Sequence, residues 1–193
     1  MDIKFSGFGG QGIIKAGYLI GKAASLFDGK HATLNQSFGP EARGGACSAQ
    51  VIILDSPVLY PYIVKPEILV AMSQEAYEKF FHEPVKGGII LIDTDLVKPA
   101  TVRKDLKLYS ISATRIAEEM GNRIYANVVM IGFFTAITKV VSKDAVEKAL
   151  PGSIPQHFVD KNIEAFNKGY QYGINILEKK KSEQTKKKEK TEA

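Results

Sequence analysis

The chain has 193 residues, 45% of them hydrophobic and 24% charged, and these fractions exclude collagen-like, low-complexity and wholly disordered proteins. A single domain of this length buries roughly 70% of the surface that its unfolded chain exposes, which is enough for a core without disulfides. The one cysteine, Cys47, can neither form an internal disulfide nor hold an iron–sulfur cluster by itself. A redox metal would therefore have to be held by another chain.

The net charge of +5 is concentrated at the carboxyl end. Residues 178–193 contain seven lysines and four glutamates and contribute +3, so the other 177 residues contribute only +2. This segment has almost no apolar side chains, which predicts a disordered, lysine-rich tail outside the folded domain. Its glutamates would repel nucleic-acid phosphates. No signal peptide is recognised, and the longest uncharged run, 124–138, is too short to span a bilayer, so we expect a cytoplasmic protein that binds neither nucleic acid nor a membrane.

Short apolar runs alternate with helical stretches along most of the chain. The predicted strands are 3–5, 31–37, 47–54, 68–72, 89–92 and 106–112. The predicted helices are 12–27, a short helix that Ser73 caps and that extends to about Phe81, 113–121, 126–141, 143–149 and 156–178. Strands that are apolar on both faces are typical of a mostly parallel sheet covered by helices. The pattern therefore predicts one three-layer α/β/α domain with an added helical carboxyl-terminal part.

Two of the predicted helices have features that suggest how they pack. Helix 12–27 carries Gly17 and Gly21 four residues apart, which would leave a smooth patch for close approach to a sheet or another backbone. Helix 126–141 is apolar on nearly all sides, so it is either deeply buried or part of a subunit interface. Because a chain of this size has limited depth, we expect an interface for part of it.

A glycine-rich loop follows the first predicted strand and precedes the first helix. It reads Gly7-Phe8-Gly9-Gly10-Gln11-Gly12, with the spacing G-x-G-x-x-G. Glycines allow a sharp turn in which backbone N–H groups approach an anion, and the helix start adds partial positive charge. Lys15 in the first turn could add a full charge, and the Gln11 amide could donate a hydrogen bond. We favour phosphate or pyrophosphate binding over a tight turn that binds nothing.

Binding of a nicotinamide dinucleotide is less favoured by the sequence. Proteins that bind one carry an acidic residue at the end of the second strand, about 20 residues after the loop, for the ribose hydroxyls. Here the second predicted strand, 31–37, ends without an acidic residue, and Asp28 precedes it. The usual contact for the adenosine ribose is therefore missing.

A second motif lies between the second and third predicted strands and reads Gln36-Ser37-Phe38-Gly39-Pro40-Glu41-Ala42-Arg43-Gly44-Gly45. Together with the first glycine motif, it resembles the gamma subunit of 2-oxoacid:ferredoxin oxidoreductases. Residues 73–77 and 126–132 match the same pattern in order, and the resemblance spans roughly residues 2–177. The sequence is most similar to the gamma subunit of the 2-oxoglutarate enzyme. The branched-chain 2-oxoacid enzyme follows closely, and pyruvate remains an alternative substrate.

The resemblance implies a division of labour between subunits. Enzymes of this family decarboxylate a 2-oxoacid oxidatively with coenzyme A and pass two electrons to ferredoxin. Thiamine diphosphate, magnesium and iron–sulfur clusters are then expected on partner subunits, the alpha, beta and possibly delta chains, so ferredoxin is an indirect partner. The gamma chain would be a Rossmann-like domain over residues 1–177, with a mixed sheet and no catalytic residues of its own. It would complete the active site and receive coenzyme A.

Two sets of site residues follow from these motifs. We expect the pyrophosphate of coenzyme A to be bound by the first loop, through Gly7, Gly9, Gly10, Gln11, Gly12 and Lys15. We expect the second loop to face the partner that holds thiamine diphosphate, through Ser37, Gly39, Pro40, Glu41, Arg43, Gly44 and Gly45. No metal site is expected in the chain. Asp93 and Asp95 follow a predicted strand, where carboxylates commonly cap the next turn, and Cys47 is expected to be buried.

Two other functions remain as alternatives. The chain could be a stand-alone nucleotide-binding oxidoreductase that uses the first glycine loop, which tight binding of NAD(P)H by the isolated chain would indicate. It could also associate with nucleic acid through its tail, in which case truncation at Leu177 should abolish a salt-sensitive binding.

Overall fold

A six-stranded sheet forms the centre of the molecule. The computed structural model describes residues 1–39 and 45–191. The strands are β1 (Asp2–Phe8), β2 (His31–Phe38), β3 (Ala46–Leu54), β4 (Ile68–Ala71), β5 (Ile89–Asp93) and β6 (Lys107–Ile111). They are ordered β2–β3–β1–β4–β5–β6. Strands β1, β4, β5 and β6 pair in parallel, whereas β3 is antiparallel to both β1 and β2. The predicted mixed, mostly parallel sheet is confirmed.

The helices are α1 (Ile13–Phe27), α2 (Gln74–Phe80), α3 (Ala113–Glu119), α4 (Ala126–Thr138), α5 (Lys143–Ala149) and α6 (Val159–Thr191). Single 3-10 turns at Arg123–Tyr125 and Gln156–Phe158 precede α4 and α6. The α/β class and the helical carboxyl-terminal part are therefore as predicted. Among the described residues, no helix combines the length and the apolar composition that crossing a membrane requires.

Helix α1 contacts the sheet closely because one of its residues lacks a side chain. A methyl group placed on Gly17 would lie only 2.7 Å from the Cβ of Ala49 in β3, so this glycine is required by the packing. A methyl group on Gly21 would meet its nearest neighbours at 3.7 and 3.9 Å, which is ordinary van der Waals contact. The predicted close approach is thus confirmed at Gly17, but Gly21 does not need to be glycine.

The two faces of the sheet are covered unequally. The main core lies between the sheet and helices α1, α3, α4, α5 and α6, where the rings of Phe5 and Phe134 lie 5.3 Å apart. On the other face, a smaller cluster packs Tyr77 of α2 and Val97 against β4 and β5. The buried Lys4 also reaches this second cluster, where it pairs with Glu83.

Helix α4 is internal, so the expected subunit interface on it is wrong. All residues from Ala126 to Ile137 are buried. Helix α6 covers α4 so closely that a methyl group on Gly132 would lie 2.0 Å from the carbonyl oxygen of Phe166. The sequence could not distinguish the two cases, since a helix that is apolar on all sides fits a core and an interface equally.

The last helix extends further than the sequence predicted. We expected it to end at residue 178 and a disordered tail to follow, but α6 continues to Thr191. Lysine and glutamate are good helix formers, so a segment without a core can extend a helix that is already nucleated. The division of the chain into a domain of residues 1–177 and a separate tail remains a prediction.

Candidate ligand site at the glycine-rich loop

The glycine-rich loop lies at the carboxyl edge of the parallel strands. It connects β1 to α1, and the neighbouring strand β4 ends beside it. From β1 the chain continues to β2 and β3 on one side of the sheet and later returns to β4 on the other. In open α/β sheets, ligands bind outside the carboxyl ends of the strands at such a switch in direction.

The side chain of Gln11 holds the loop closed. Its Oε1 accepts a hydrogen bond of 2.7 Å from the backbone N–H of Phe8, and its Nε2 donates one of 2.8 Å to the carbonyl of Met72. Met72 follows β4, so Gln11 ties the loop to the end of the adjacent strand. Both ends of its amide are therefore engaged within the chain. Sequence reasoning expected this amide to contact a ligand.

The surroundings of the three glycines Gly7, Gly10 and Gly12 differ, and so does the structural reason for the absence of a side chain at each. A methyl group on Gly7 would lie 2.4 Å from Oε1 of Gln11, and one on Gly12 would lie 2.1 Å from Nδ2 of Asn127. Both positions are therefore filled by neighbouring side chains. Gly10 has φ +94°, and no atom of residues 1–39 or 45–191 lies within 4 Å of a methyl group placed on it. Gly10 thus faces open space in a backbone conformation that other residues rarely adopt.

The start of α1 has an excess of positive charge. Its N-cap residue is Gly12, which has no side chain to accept from the first N–H groups, and the first turn contains no acidic residue. The N–H groups of a first helical turn have no partner within the helix and carry the positive end of its dipole. The exposed ammonium group of Lys15 adds a full charge, and it makes no ion pair or hydrogen bond with residues 1–39 or 45–191.

Three clefts meet at Gly10. A cavity of about 390 Å³ runs between α1 and the α4–α6 layer and is mainly apolar. An open cleft of about 620 Å³ lies between α1 and the edge of the sheet formed by β2 and β3. A third, of about 250 Å³, extends toward Met72 and Thr114 at the ends of β4 and α3. Lys15 lines the first two.

The two glycine motifs lie next to each other. The N–H of Gly9 donates a hydrogen bond of 2.9 Å to the carbonyl of Gly45, and the N–H of Gly39 donates one of 2.7 Å to the carbonyl of Ala46. Ser37 is exposed on β2, opposite Ser48. The remaining residues of the second predicted set lie outside the described residues: Pro40, Glu41, Arg43 and Gly44.

Asn127 is part of this site, although sequence reasoning did not single it out. It is the polar residue at the start of the otherwise apolar helix α4, and its Nδ2 donates to the carbonyl of Gly12 over 3.4 Å. It also lines the 390 Å³ cavity, together with the buried polar side chains of Ser153 and Asn162. A polar side chain within an apolar helical stretch was the signal that could have revealed it.

The other candidate groups have structural roles. Buried Asp93 accepts hydrogen bonds from the N–H and hydroxyl of Thr114 at 2.9 and 2.7 Å and from the N–H of Asp95, so the predicted capping role is confirmed. Burial raises the pKa of the Asp93 carboxyl and also that of the Cys47 thiol. In the described part of the chain, no group of three or more His, Cys, Asp and Glu side chains is arranged to hold a metal ion.

Comparisons with known proteins agree on one family. The model of the family "Pyruvate ferredoxin/flavodoxin oxidoreductase" matches residues 2–172. The chain is 48% identical over 172 residues to 2-oxoglutarate synthase subunit KorC of Methanocaldococcus jannaschii, which covers 88% of this chain and 92% of that protein. It superposes with a TM-score of 0.79 on the gamma subunit of a keto/oxoacid ferredoxin oxidoreductase from Geobacter sulfurreducens, at 39% identity, over 90% of this chain and 98% of that one.

A third match shows the same fold within a longer chain. The 2-oxoglutarate:ferredoxin oxidoreductase of Magnetococcus marinus, solved with 2-oxoglutarate, coenzyme A and succinyl-CoA bound, matches with a TM-score of 0.81 at 24% identity. The match covers 90% of this chain and 31% of the longer one. Taken with the family model and the 48% identical relative, these findings place the chain in the pyruvate ferredoxin/flavodoxin oxidoreductase family, as the gamma subunit of a 2-oxoacid:ferredoxin oxidoreductase.

Proposed function

We propose that this gamma subunit binds coenzyme A in a complex that converts a 2-oxoacid, 2-oxoglutarate in the first place, to the acyl-CoA and passes the electrons to ferredoxin. The observation that carries the proposal is the meeting of three clefts at a helix start whose N-cap residue is glycine, beside a lysine that makes no ion pair or hydrogen bond with residues 1–39 and 45–191. Coenzyme A contains a pyrophosphate between two long arms, and this site offers an anion cradle with a cleft on either side. The coenzyme A in the Magnetococcus enzyme supports this ligand.

In this proposal the pyrophosphate of coenzyme A binds at the loop from Gly9 to Gly12, next to Lys15. The uncapped N–H groups of α1 would donate to its oxygens, and the lysine would neutralise part of its charge. Gly10 would allow the oxygens to approach the backbone, since no atom of the described residues occupies the space in front of it. Gly7, Gln11 and Gly12 would act indirectly, by keeping the loop in this shape.

The redox chemistry is assigned to partner subunits. A cluster needs several cysteines, and this sequence has one, which is buried. Thiamine diphosphate, magnesium and the iron–sulfur clusters are thus proposed on the alpha, beta and possibly delta subunits, which would pass electrons on to ferredoxin. The complex is proposed to work in the cytoplasm, where an unpaired thiol such as that of Cys47 stays reduced.

The second glycine motif is proposed to face the partner that holds thiamine diphosphate. Its ends, Gly39 and Gly45, are tied to β3 and to Gly9, so the loop starts and finishes beside the proposed coenzyme A site. A partner that contacts residues 39–45 would then hold its reacting group near the coenzyme. The assignment to 2-oxoglutarate is supported by the 48% identity to a 2-oxoglutarate synthase subunit.

Kinetics of the assembled enzyme test the coenzyme A site. Gly10→Ala would place a methyl group in the open space in front of the loop, and Lys15→Ala would remove the nearby charge. A charge-assisted hydrogen bond is worth about 1.5–3 kcal/mol, so the KM for coenzyme A should rise about tenfold or more while the KM for 2-oxoglutarate stays unchanged.

Gly87→Ala is the matched control for the first substitution. Gly87 precedes β5, at the end of the sheet opposite to the glycine-rich loop. It has φ +82°, and no atom of the described residues lies within 4 Å of a methyl group placed on it, so Gly87→Ala imposes a similar backbone strain. Its KM values should be those of the wild type. An unchanged KM for coenzyme A in correctly assembled Gly10→Ala and Lys15→Ala complexes would overturn the proposal, and tight NADH binding by the isolated chain would favour the nucleotide-binding alternative.

A further inference from the structure

Two aromatic side chains are exposed at the cleft of about 620 Å³ between α1 and β2. Phe38 at the end of β2 is 67% exposed, and Tyr18 on α1 is 45% exposed. Both line the same cleft, together with Gly10 and Lys15. Neither ring packs against another aromatic ring of the described residues. Large apolar side chains that are exposed in a concave surface mark a place where another molecule binds.

The cleft has an aromatic residue on each wall because of how side chains are spaced along a strand and along a helix. Leu34, Gln36 and Phe38 alternate along β2 and therefore point to one face of the sheet, the face that α1 covers. On α1, Lys15 and Tyr18 are three residues apart and share the side of the helix that faces this cleft. The result is a groove with an aromatic ring from β2 on one side and one from α1 on the other.

The floor of the groove is apolar with one polar side chain. Leu34 and buried Cys47 form the apolar part. Gln36 is exposed, and its amide has no hydrogen-bond partner among residues 1–39 and 45–191. An amide of this kind can both donate and accept, which matches the edge of a purine base. Aromatic side chains stack on the flat face of a nucleobase, whichever base it is.

We propose that this groove binds the adenine ring of coenzyme A, with Phe38 and Tyr18 against the ring and Gln36 at its edge. The inference rests on the proposed function, because it concerns the same ligand. Lys15 lines both this groove and the 390 Å³ cavity, so a pyrophosphate beside Lys15 would direct one arm of the coenzyme into each. The groove has the aromatic walls that suit a base. The cavity on the other side of the loop is the mainly apolar one and suits the flexible thiol arm.

Competition by the nucleotide half of the coenzyme tests this placement. Adenosine 3′,5′-diphosphate would be titrated as an inhibitor against coenzyme A in the assembled enzyme, for the wild type, Phe38→Ala and Phe38→Tyr. Loss of stacking on one ring should raise the inhibition constant about five- to 150-fold in Phe38→Ala. Phe38→Tyr keeps an aromatic face and should bind the inhibitor as the wild type does.

A remote exposed ring provides the control. Tyr62 is 57% exposed in the segment between β3 and β4, away from the glycine loop, so Tyr62→Ala should leave the inhibition constant unchanged. An unchanged constant in Phe38→Ala overturns the inference. So does a loss of assembled complex with a normal constant in what remains, because Phe38 would then contact a partner subunit.

The same titration separates this inference from the proposed function. If Lys15→Ala raises the KM for coenzyme A but Phe38→Ala does not change the inhibition constant, coenzyme A binds at the loop and its adenine lies elsewhere. If neither substitution has an effect, both the loop site and the adenine groove are wrong. A rise with both substitutions supports both.

Discussion

The crossing of α4 and α6 has no space for a side chain at its centre, and this makes Gly169→Ala a demanding test of the fold. A methyl group on Gly169 would lie 1.9 Å from the carbonyl oxygen of Val129 and 2.8 Å from its carbonyl carbon. Both are backbone atoms of α4 and cannot rotate away. To reach the 3.4 Å at which ordinary contact begins, the two helices would have to separate by more than about 1 Å.

The expected loss of stability can be bounded. Overpacking a core costs about 1–3 kcal/mol, and sometimes more. Here the obstacle is the backbone of another helix. We therefore expect Gly169→Ala to lower the free energy of unfolding by at least about 3 kcal/mol, a net value that includes the gain of up to about 1 kcal/mol from replacing glycine by alanine in a helix. In a chain of this size each kcal/mol lowers Tm by about 2–4 °C, so Tm should fall by roughly 6–12 °C or the variant should not fold.

Gly21→Ala is the control, since it makes the same change in the interior of α1. Its methyl group would find neighbours at 3.7 and 3.9 Å, so we expect a gain of about 0.5–1 kcal/mol. Both Tm values would be measured by circular dichroism on the full 193-residue chain. A Gly169→Ala chain that melts within about 2 °C of the wild type would refute the reasoning, because the helices would then have room that the structure does not contain.

Three further predictions concern single side chains. Desolvation raises the pKa of Asp93 above 3.8, so the folded state takes up its proton at higher pH than the unfolded state. The protonated Asp93 carboxyl therefore contributes to stability below pH 3.8, and this contribution is lost as the pH rises through the pKa of the folded state. The free energy of unfolding of the wild type, minus that of Asp93→Asn, should fall over this pH range. A difference that does not change with pH would contradict the prediction. Cys47 is buried with a raised pKa, so a thiol reagent should modify the folded chain at least about tenfold more slowly than the urea-unfolded chain, and equal rates would show that the thiol is accessible. Arg43→Lys should lower the turnover of the assembled enzyme, because lysine cannot reproduce the planar fork of a guanidinium, and normal turnover in both Arg43→Lys and Arg43→Ala would remove the predicted role of this loop.

Local elements were predictable because short-range chemistry decides them. Ser73 accepts a hydrogen bond from the N–H of Ala76 and caps α2 where the sequence placed a cap. Apolar runs such as 89–92 became buried strands, since a run that is apolar on both faces has no side to present to water. The end of α4 was predicted three residues late. The chain leaves the helix at Lys139, whose φ of +54° no pattern of apolar residues encodes.

The order of the strands could not be predicted from the residues. Strand β3 lies antiparallel between β1 and β2, yet its apolar pattern is the same as that of a parallel strand. This order also weakens the argument from the missing ribose acid. That argument takes the end of β2 to lie beside the end of β1, but here β3 separates the two strands. The kinetic and NADH-binding experiments described above therefore test the two ligands directly.

Contacts between distant segments account for the rest. The packing roles of Gly132 and Gly169 could not be predicted, because each glycine is required only by the backbone of the other helix, and the sequence does not show that α4 and α6 cross there. The roles of Gln11 and Asn127 depend likewise on Met72 and on Gly12, residues 61 and 115 positions away. The loop itself was found correctly, since its glycines, its strand and its helix are contiguous.

The same contacts connect the carboxyl-terminal helix to the proposed ligand site. Helix α6 fixes α4 through the glycine crossing, and the first turn of α4 contains Asn127, which supports Gly12. Gln11 and Gly9 hold the loop from the other sides, at the end of β4 and at Gly45. A loop that is held in this way before the ligand arrives loses little conformational entropy on binding. A methyl group on Gly132 would push α4 away from α6 and so displace Asn127, which supports the loop. In a folded Gly132→Ala complex, the KM for coenzyme A should therefore rise more than the KM for the 2-oxoacid.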